Sequence, residues 1–215
     1  MAKAHVVFAH PEPQSLNGTL KNITVRVLQG KGYNTTCTDL FADNFSVYLD
    51  NKEFPGFSSA VYSVSAAQQS GLQNGDLPAD IQREQQLLEE ADLIVFQFPM
   101  WWGSVPAPLK AYFEKVFLFN WSFGGAYKLQ GKRTLVCSSV GTPEVYWSNS
   151  RKHSIKTVYY HLFSGLFETM KMINLQPIII YGFEHMTDDQ KRRTLIEFER
   201  EIANVDSRPL LSLAE

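Results

Sequence analysis

Between Asp92 and Phe117 the chain takes on three characters in turn. Leu93-Ile94-Val95-Phe96 is an unbroken apolar run. That is the pattern of a strand covered on both faces, as in a parallel sheet, rather than one with a wet side. Pro99-Met100-Trp101-Trp102-Gly103-Ser104 then reads as a loop. Pro106 opens a helix pattern that runs to Phe117, with its prolines in the first turn, where a missing N–H costs little. A strand of this kind needs helices on both sides, which restricts the chain to the α/β architectures. It also puts two adjacent tryptophans at the carboxyl end of a strand, where open α/β sheets bind ligands.

The same alternation recurs along the sequence. Strand patterns fall at 6–9, 34–38, 93–98, 133–139 and 175–181, and helix patterns at 16–30, 77–91, 106–117 and 154–172. Thr187 and Gln190 form a capping-box signature for a last helix reaching about Asn204. Residues 40–77 show no clean period and are punctuated by Pro55, Gly56, Gly71 and Gly75, which reads as a long functional or poorly ordered loop. The tail after Arg208-Pro209 is expected to fray or to pack on a neighbour. The expected fold is therefore a three-layer sandwich, a five-stranded parallel sheet of order 2-1-3-4-5 with helices on both faces. Right-handed crossovers gather the loops after strands one, three and four at one edge, with the switch point beside strand one.

At 215 residues the chain is expected to form a single domain spanning 1–215. Its net charge of −2 offers nothing to recruit nucleic acid or an anionic membrane. No run approaches the roughly 18 apolar residues of a membrane span. Met1-Ala2-Lys3-Ala4-His5 leads directly into a strand without a signal-peptide pattern, so the expected location is cytoplasmic. Cys37 and Cys137 have no partner at metal-ligand spacing, and Cys137 sits in an apolar strand pattern as a packing residue. His153, His161 and His185 show no metal-ligand pairing, so no metal is expected.

Loop one carries His10, Ser15, Leu16, Asn17 and Thr19 at the start of a helix. It has no Gly-x-Gly-x-x-Gly, yet a helix start still offers N–H groups to an anion. Ser15 and Asn17 read equally as helix caps, and His10 as a turn histidine or a phosphate ligand. Loop three holds Pro99, Met100, Trp101, Trp102 and Gly103, and two flat indoles suggest a planar ligand, with a flavin as the leading candidate. Loop four is Ser138-Ser139-Val140-Gly141, with Tyr146 shortly after. Its backbone donors, and the Tyr146 hydroxyl, suit negative charge on the N1/O2 side of a reduced flavin. A locally satisfied tyrosine is the ordinary alternative for Tyr146. The segment from Gly125 to Arg133 imitates a phosphate loop but has the wrong spacing, lacks the magnesium-holding hydroxyl and precedes a strand.

Over about residues 3–204 the chain resembles the flavodoxin-like NAD(P)H:quinone oxidoreductases, which include the mammalian quinone reductases and the bacterial modulators of drug activity. The resemblance rests on Gln97-Phe98-Pro99-Met100-Trp101-Trp102-Gly103-Ser104-Val105-Pro106, on Ala9-His10-Pro11-Glu12 with Ser15-Leu16-Asn17, and on Glu89-Ala91-Asp92-Leu93-Ile94. It implies FAD rather than FMN, NADH or NADPH as donor, and a quinone as acceptor. It implies ping-pong hydride transfer through flavin N5 in a homodimer whose pockets the partner chain completes. It places Trp102, Trp121 and Phe123 in the substrate pocket and gives Tyr146 a catalytic role. Lys152 stands where the family has a catalytic histidine, and His153 is one position away. The family also implies two alternatives: an FMN-dependent azo- or nitroreductase, and a flavin-bearing regulatory subunit of a potassium efflux system.

Overall fold

A computed structural model describes residues 1–54, 56–148 and 154–212. Strand β3 (Leu93–Pro99) lies at its centre, and all seven of its residues are buried. Because successive side chains on a strand point to opposite faces, the apolar run divides between two cores. Ile94, Phe96 and Phe98 enter one cluster, and Leu93 and Val95 enter the other. Strands β1 (Lys3–Phe8) and β4 (Arg133–Val140) flank β3 in parallel, and β2 (Asn34–Asp39) pairs with β1. The strand order is the expected one, with β5 (Ile173–Asn174) beyond β4.

The fifth position of the sheet differs from the expected single strand over 175–181. It is shared by two short parallel segments beside β4, namely β5 and β6 (Ile178–Tyr181). Pro177 lies in the interruption, and proline has no N–H to give a ladder. The tail does not fray there. Leu211 N–H donates to the Asn174 carbonyl at 2.9 Å, and Gln176 N–H donates to that of Pro209 at 2.9 Å.

Helices α1 (Leu16–Gly30) and α8 (Asp188–Ala203) cover one face of the sheet through Leu20, Leu28, Phe198 and Ile202. Helices α3 (Ala79–Glu90) and α4 (Ala107–Val116) cover the other through Ile81, Leu88, Leu109 and Tyr112. Thr187 and Gln190 make the capping box reciprocally at the start of α8. Helices α5 (Val145–Ser148), α6 (Ile155–Val158) and α7 (Tyr160–Leu162) are short. A π-helical turn, Phe163–Glu168, follows α7, so the expected continuous helix over 154–172 is broken.

The segment expected to be irregular contains helix α2 (Val64–Asn74). Its periodicity was illegible because only Ala67 and Gly71 are buried. Lys115, almost wholly buried on α4, holds the stretch before it: its ammonium pairs with Glu53, donates to the Ser46 carbonyl at 3.1 Å and lies over the Phe45 ring.

A buried polar cluster joins α3 to the sheet. Glu84 is fully buried, accepts from Thr38 Oγ1 at 2.9 Å and from the Tyr112 hydroxyl at 3.2 Å, and lies 3.4 Å from His5 Nε2. Burial pushes the Glu84 carboxyl up, but the hydrogen bonds from His5, Thr38 and Arg83 outweigh it, and the net direction is down. A carboxyl held below its ordinary range contributes stability above that range and loses it as the pH falls through the folded value. Glu84→Leu should therefore cost about 3–5 kcal/mol in denaturant unfolding, since it strands its buried partners. Glu84→Gln should flatten the stability loss below about pH 4, where free glutamate protonates. An acid limb identical to that of the parent would contradict this.

Candidate active site

The carboxyl ends of β1, β3 and β4 lie side by side, so the loops that leave them meet. Two contacts weld these loops to the strands. Ala9 N–H donates to the Gln97 carbonyl at 3.0 Å, and Met100 N–H donates to the Ser139 carbonyl at 2.8 Å. Loop one folds tightly onto the first turn of α1. Ser15 caps that helix by accepting from Gly18 N–H. A Cβ on Gly18 would lie 2.0 Å from the Pro13 carbonyl oxygen, so only glycine permits this approach. His10 Nδ1 lies 3.0 Å from Glu12 N–H and 3.1 Å from the Glu12 carbonyl oxygen, so the backbone of the turn holds the ring in place.

Loop three is a tight turn. Trp101 and Ser104 exchange both backbone hydrogen bonds at 3.0 Å. Trp102 and Gly103 between them have φ of +51° and +72°, the signature of a type I′ turn. Glycine and asparagine suit that backbone, whereas a left-handed conformation costs other residues roughly 1–2 kcal/mol. The turn holds the Trp102 side chain fully exposed. A strained backbone that presents a large apolar ring to solvent is the kind of outlier that points to function. The His10 and Trp101 rings lie 5.6 Å apart, so loops one and three share an aromatic wall.

A cavity of about 220 Å³ lies where the loops meet. Loop one gives it His10, Ser15, Leu16 and Asn17; loop three gives Pro99, Met100 and Trp101; loop four gives Ser139, Val140 and Gly141. A hollow of about 340 Å³ against Met100, Trp101 and Trp102 adjoins it. Another of about 260 Å³ shares His10 and runs past Pro11, Pro13, Asp39, Phe41 and Ala42. Phe183 and Glu184, from the turn after β6, complete the cavity and were not foreseen. The signal for them was Gly182, a left-handed residue immediately after a strand at the ligand edge. A larger groove of about 690 Å³ runs between β6 and α8, but the tryptophan loop has no part in it.

The remaining expected residues lie elsewhere. Gly103 completes the turn itself. Ser138 is buried behind the cavity, its hydroxyl 2.8 Å from that of Tyr159. Burial pushes the Tyr159 hydroxyl up, and Tyr181 is pushed up to about 12, chiefly by burial and then by Glu144, so both stay protonated. Tyr146 is half exposed on α5. Trp121 is buried, and its Nε1 donates to Glu89 at 2.7 Å. Phe123 is half-buried and packs edge-on to Phe119. Lys152 and His153 lie outside the described residues. Cys137 is buried, its thiol pushed up to about 12 by burial, so it is no nucleophile. Among the described residues no group of three or more metal-ligating side chains converges, and no helix is long and apolar enough to cross a membrane.

A twisted parallel sheet with its cavity at the switch point defines a class, the flavodoxin-like proteins, and the family described as flavodoxin-like fold matches residues 2–202. A ribosyldihydronicotinamide dehydrogenase [quinone] from Pongo abelii is 30% identical over 211 residues, covering 94% of this chain and 91% of the relative. NAD(P)H dehydrogenase [quinone] 1 from Cavia porcellus is 30% identical, covering 98% of this chain and 80% of its own. A solved structure from Klebsiella pneumoniae, described as a candidate quinone reductase, superposes with a TM-score of 0.90 at 25% identity, covering 98% of this chain and 87% of that one. The chain belongs to the flavodoxin-like quinone reductase family.

The turn geometry yields a direct test. Trp102→Asn should leave the melting temperature of the flavin-free protein unchanged or raise it, by up to the equivalent of about 1 kcal/mol, because asparagine tolerates positive φ. The same change should weaken ligand binding. A clear fall in melting temperature would show that the indole supports the fold instead.

Proposed function

We propose that this chain is a FAD-dependent NAD(P)H:quinone oxidoreductase working by a ping-pong scheme in a homodimer. The observation that carries the reading is the convergence of loops one, three and four on one cavity beside two exposed or half-exposed indoles. The names of the relatives, which act on quinones, support it. The donor set fits a flavin: small residues and the N–H groups of a helix start suit its phosphates, and the indoles suit its ring. When bound, the flavin supplies hydride chemistry, accepting two electrons from NAD(P)H and giving them to the quinone.

The side chains have separable tasks in this reading. Trp101 and Trp102 hold flat partners parallel and exclude water from one side. Ser15 and the first turn of α1 neutralise phosphate charge without a cation. The Val140 and Gly141 backbone presents donors where negative charge accumulates. Tyr146 lies close by in sequence on α5, suited to holding a proton near that charge, and Lys152 or His153 would serve beside it. The fully exposed Trp102 and the exposed Tyr146 and Phe119 leave apolar surface for a second copy of the chain to cover.

Identifying the flavin released from the purified protein tests the reading. FAD supports it, FMN favours the azo- or nitroreductase alternative, and a protein that takes up neither contradicts both. Tyr146→Phe and Lys152→Ala should each slow flavin reduction by NAD(P)H about tenfold or more, with flavin affinity changed far less. Parent reduction rates in both variants would remove these residues from the mechanism.

A further inference from the structure

Beneath the cavity lies a chain of three side chains, one from each of the elements that carry the loops. Gln97, on β3, is fully buried and does not reach the cavity. Its Nε2 donates to Asn17 Oδ1 at 3.0 Å. Asn17, on the first turn of α1, is itself buried, and its Nδ2 donates to Ser139 Oγ at 2.8 Å. Ser139, on β4, lines the cavity. The chain therefore has a direction: each member donates toward the next. A hydroxyl that accepts from Asn17 keeps its own hydrogen to give away.

The direction is fixed by what Gln97 leaves unused. Its Oε1 is buried and has no hydrogen-bond partner among the described residues. Turning both carboxamides over would place the Gln97 amino group at that empty position and leave both of its hydrogens without an acceptor. Buried orphaned N–H groups are rarer and costlier than under-used carbonyl oxygens. The observed polarity is thus the better of the two, and it ends in a donor facing the cavity.

We propose that Gln97 is a positioning residue: through Asn17 it fixes the Ser139 hydroxyl as a hydrogen-bond donor to the bound flavin. The assignment rests on the flavin reading above and deepens it. Gln97 touches neither flavin nor substrate in this account. It sets the sense of a relay whose last atom does. The relay also couples β3, α1 and β4 side chain to side chain, so the donor and the phosphate-binding turn are held in one register. A donor to the ring favours its reduced, more negative form and raises its midpoint potential.

The test uses Gln97→Met, which keeps the shape and removes the amide, together with Ser139→Ala and the double variant. Titration of the flavin-free protein with FAD, and with FMN in parallel, gives the dissociation constant. Gln97→Met should weaken flavin binding about tenfold, the effect of one buried hydrogen bond, and lower the midpoint potential of the bound flavin. The double variant should be no weaker than Ser139→Ala by more than about threefold, since the two act through one hydroxyl. Gln97→Asn, which withdraws the amide by one methylene, should shift both readings the same way and serves if the methionine variant does not fold. A parent midpoint potential in the Gln97 variants, or a double variant equal to the product of the singles, would overturn the assignment alone. A parent protein that binds neither flavin would overturn the functional reading and this one with it.

Discussion

The ligand face of this molecule depends on the burial of β3 between two parallel neighbours. Its seven residues are enclosed, with β1 paired from Ala4↔Leu93 to Phe8↔Gln97 and β4 from Leu93↔Arg133 to Pro99↔Ser139. Shifting either register by one residue would move every apolar side chain of β3 to the opposite core. The hydrophobic pattern therefore fixes which loop residues stand next to one another, well before any ligand is considered. Ala9, Met100 and Ser139 meet because their strands have no alternative alignment.

Polarity is confined to where that alignment permits it. The two cores are largely apolar, with paired polar groups such as Glu84 with Thr38, Tyr112 and His5. Gln97 is the exception on β3 itself, one residue before the strand reaches Phe98 and Pro99. A carboxamide so deep in an apolar strand carries a desolvation cost that one hydrogen bond offsets only in part. Departures of this kind from local consistency are expected at functional sites.

Much of this was legible in the sequence. Leu93-Ile94-Val95-Phe96 announced a strand buried on two faces, Ser15 and Thr187 announced helix starts, and the three loops were located from the strands they follow. What was not legible depends on tertiary contacts. Helix α2 exposes most of its surface, so its period is weak, and the buried Lys115 that holds the preceding segment looks in sequence like any surface lysine. The division of the fifth strand at Pro177 turns on where one missing N–H falls in the ladder. That Trp121 gives its N–H to the carboxylate of Glu89, distant in sequence, is likewise visible only in the fold. Phe183 and Glu184 carry no local signature beyond the Gly182 before them; the geometry of the sheet edge brings them to the cavity.

The central claim is that one flavin lies across all three loops, and a crystal structure of the flavin-bound protein tests it most directly. The account predicts the ring between the Trp101–Trp102 turn and Ser139–Gly141, with the phosphates at the start of α1. A flavin found instead in the larger groove between β6 and α8, with the tryptophan turn empty, would contradict it.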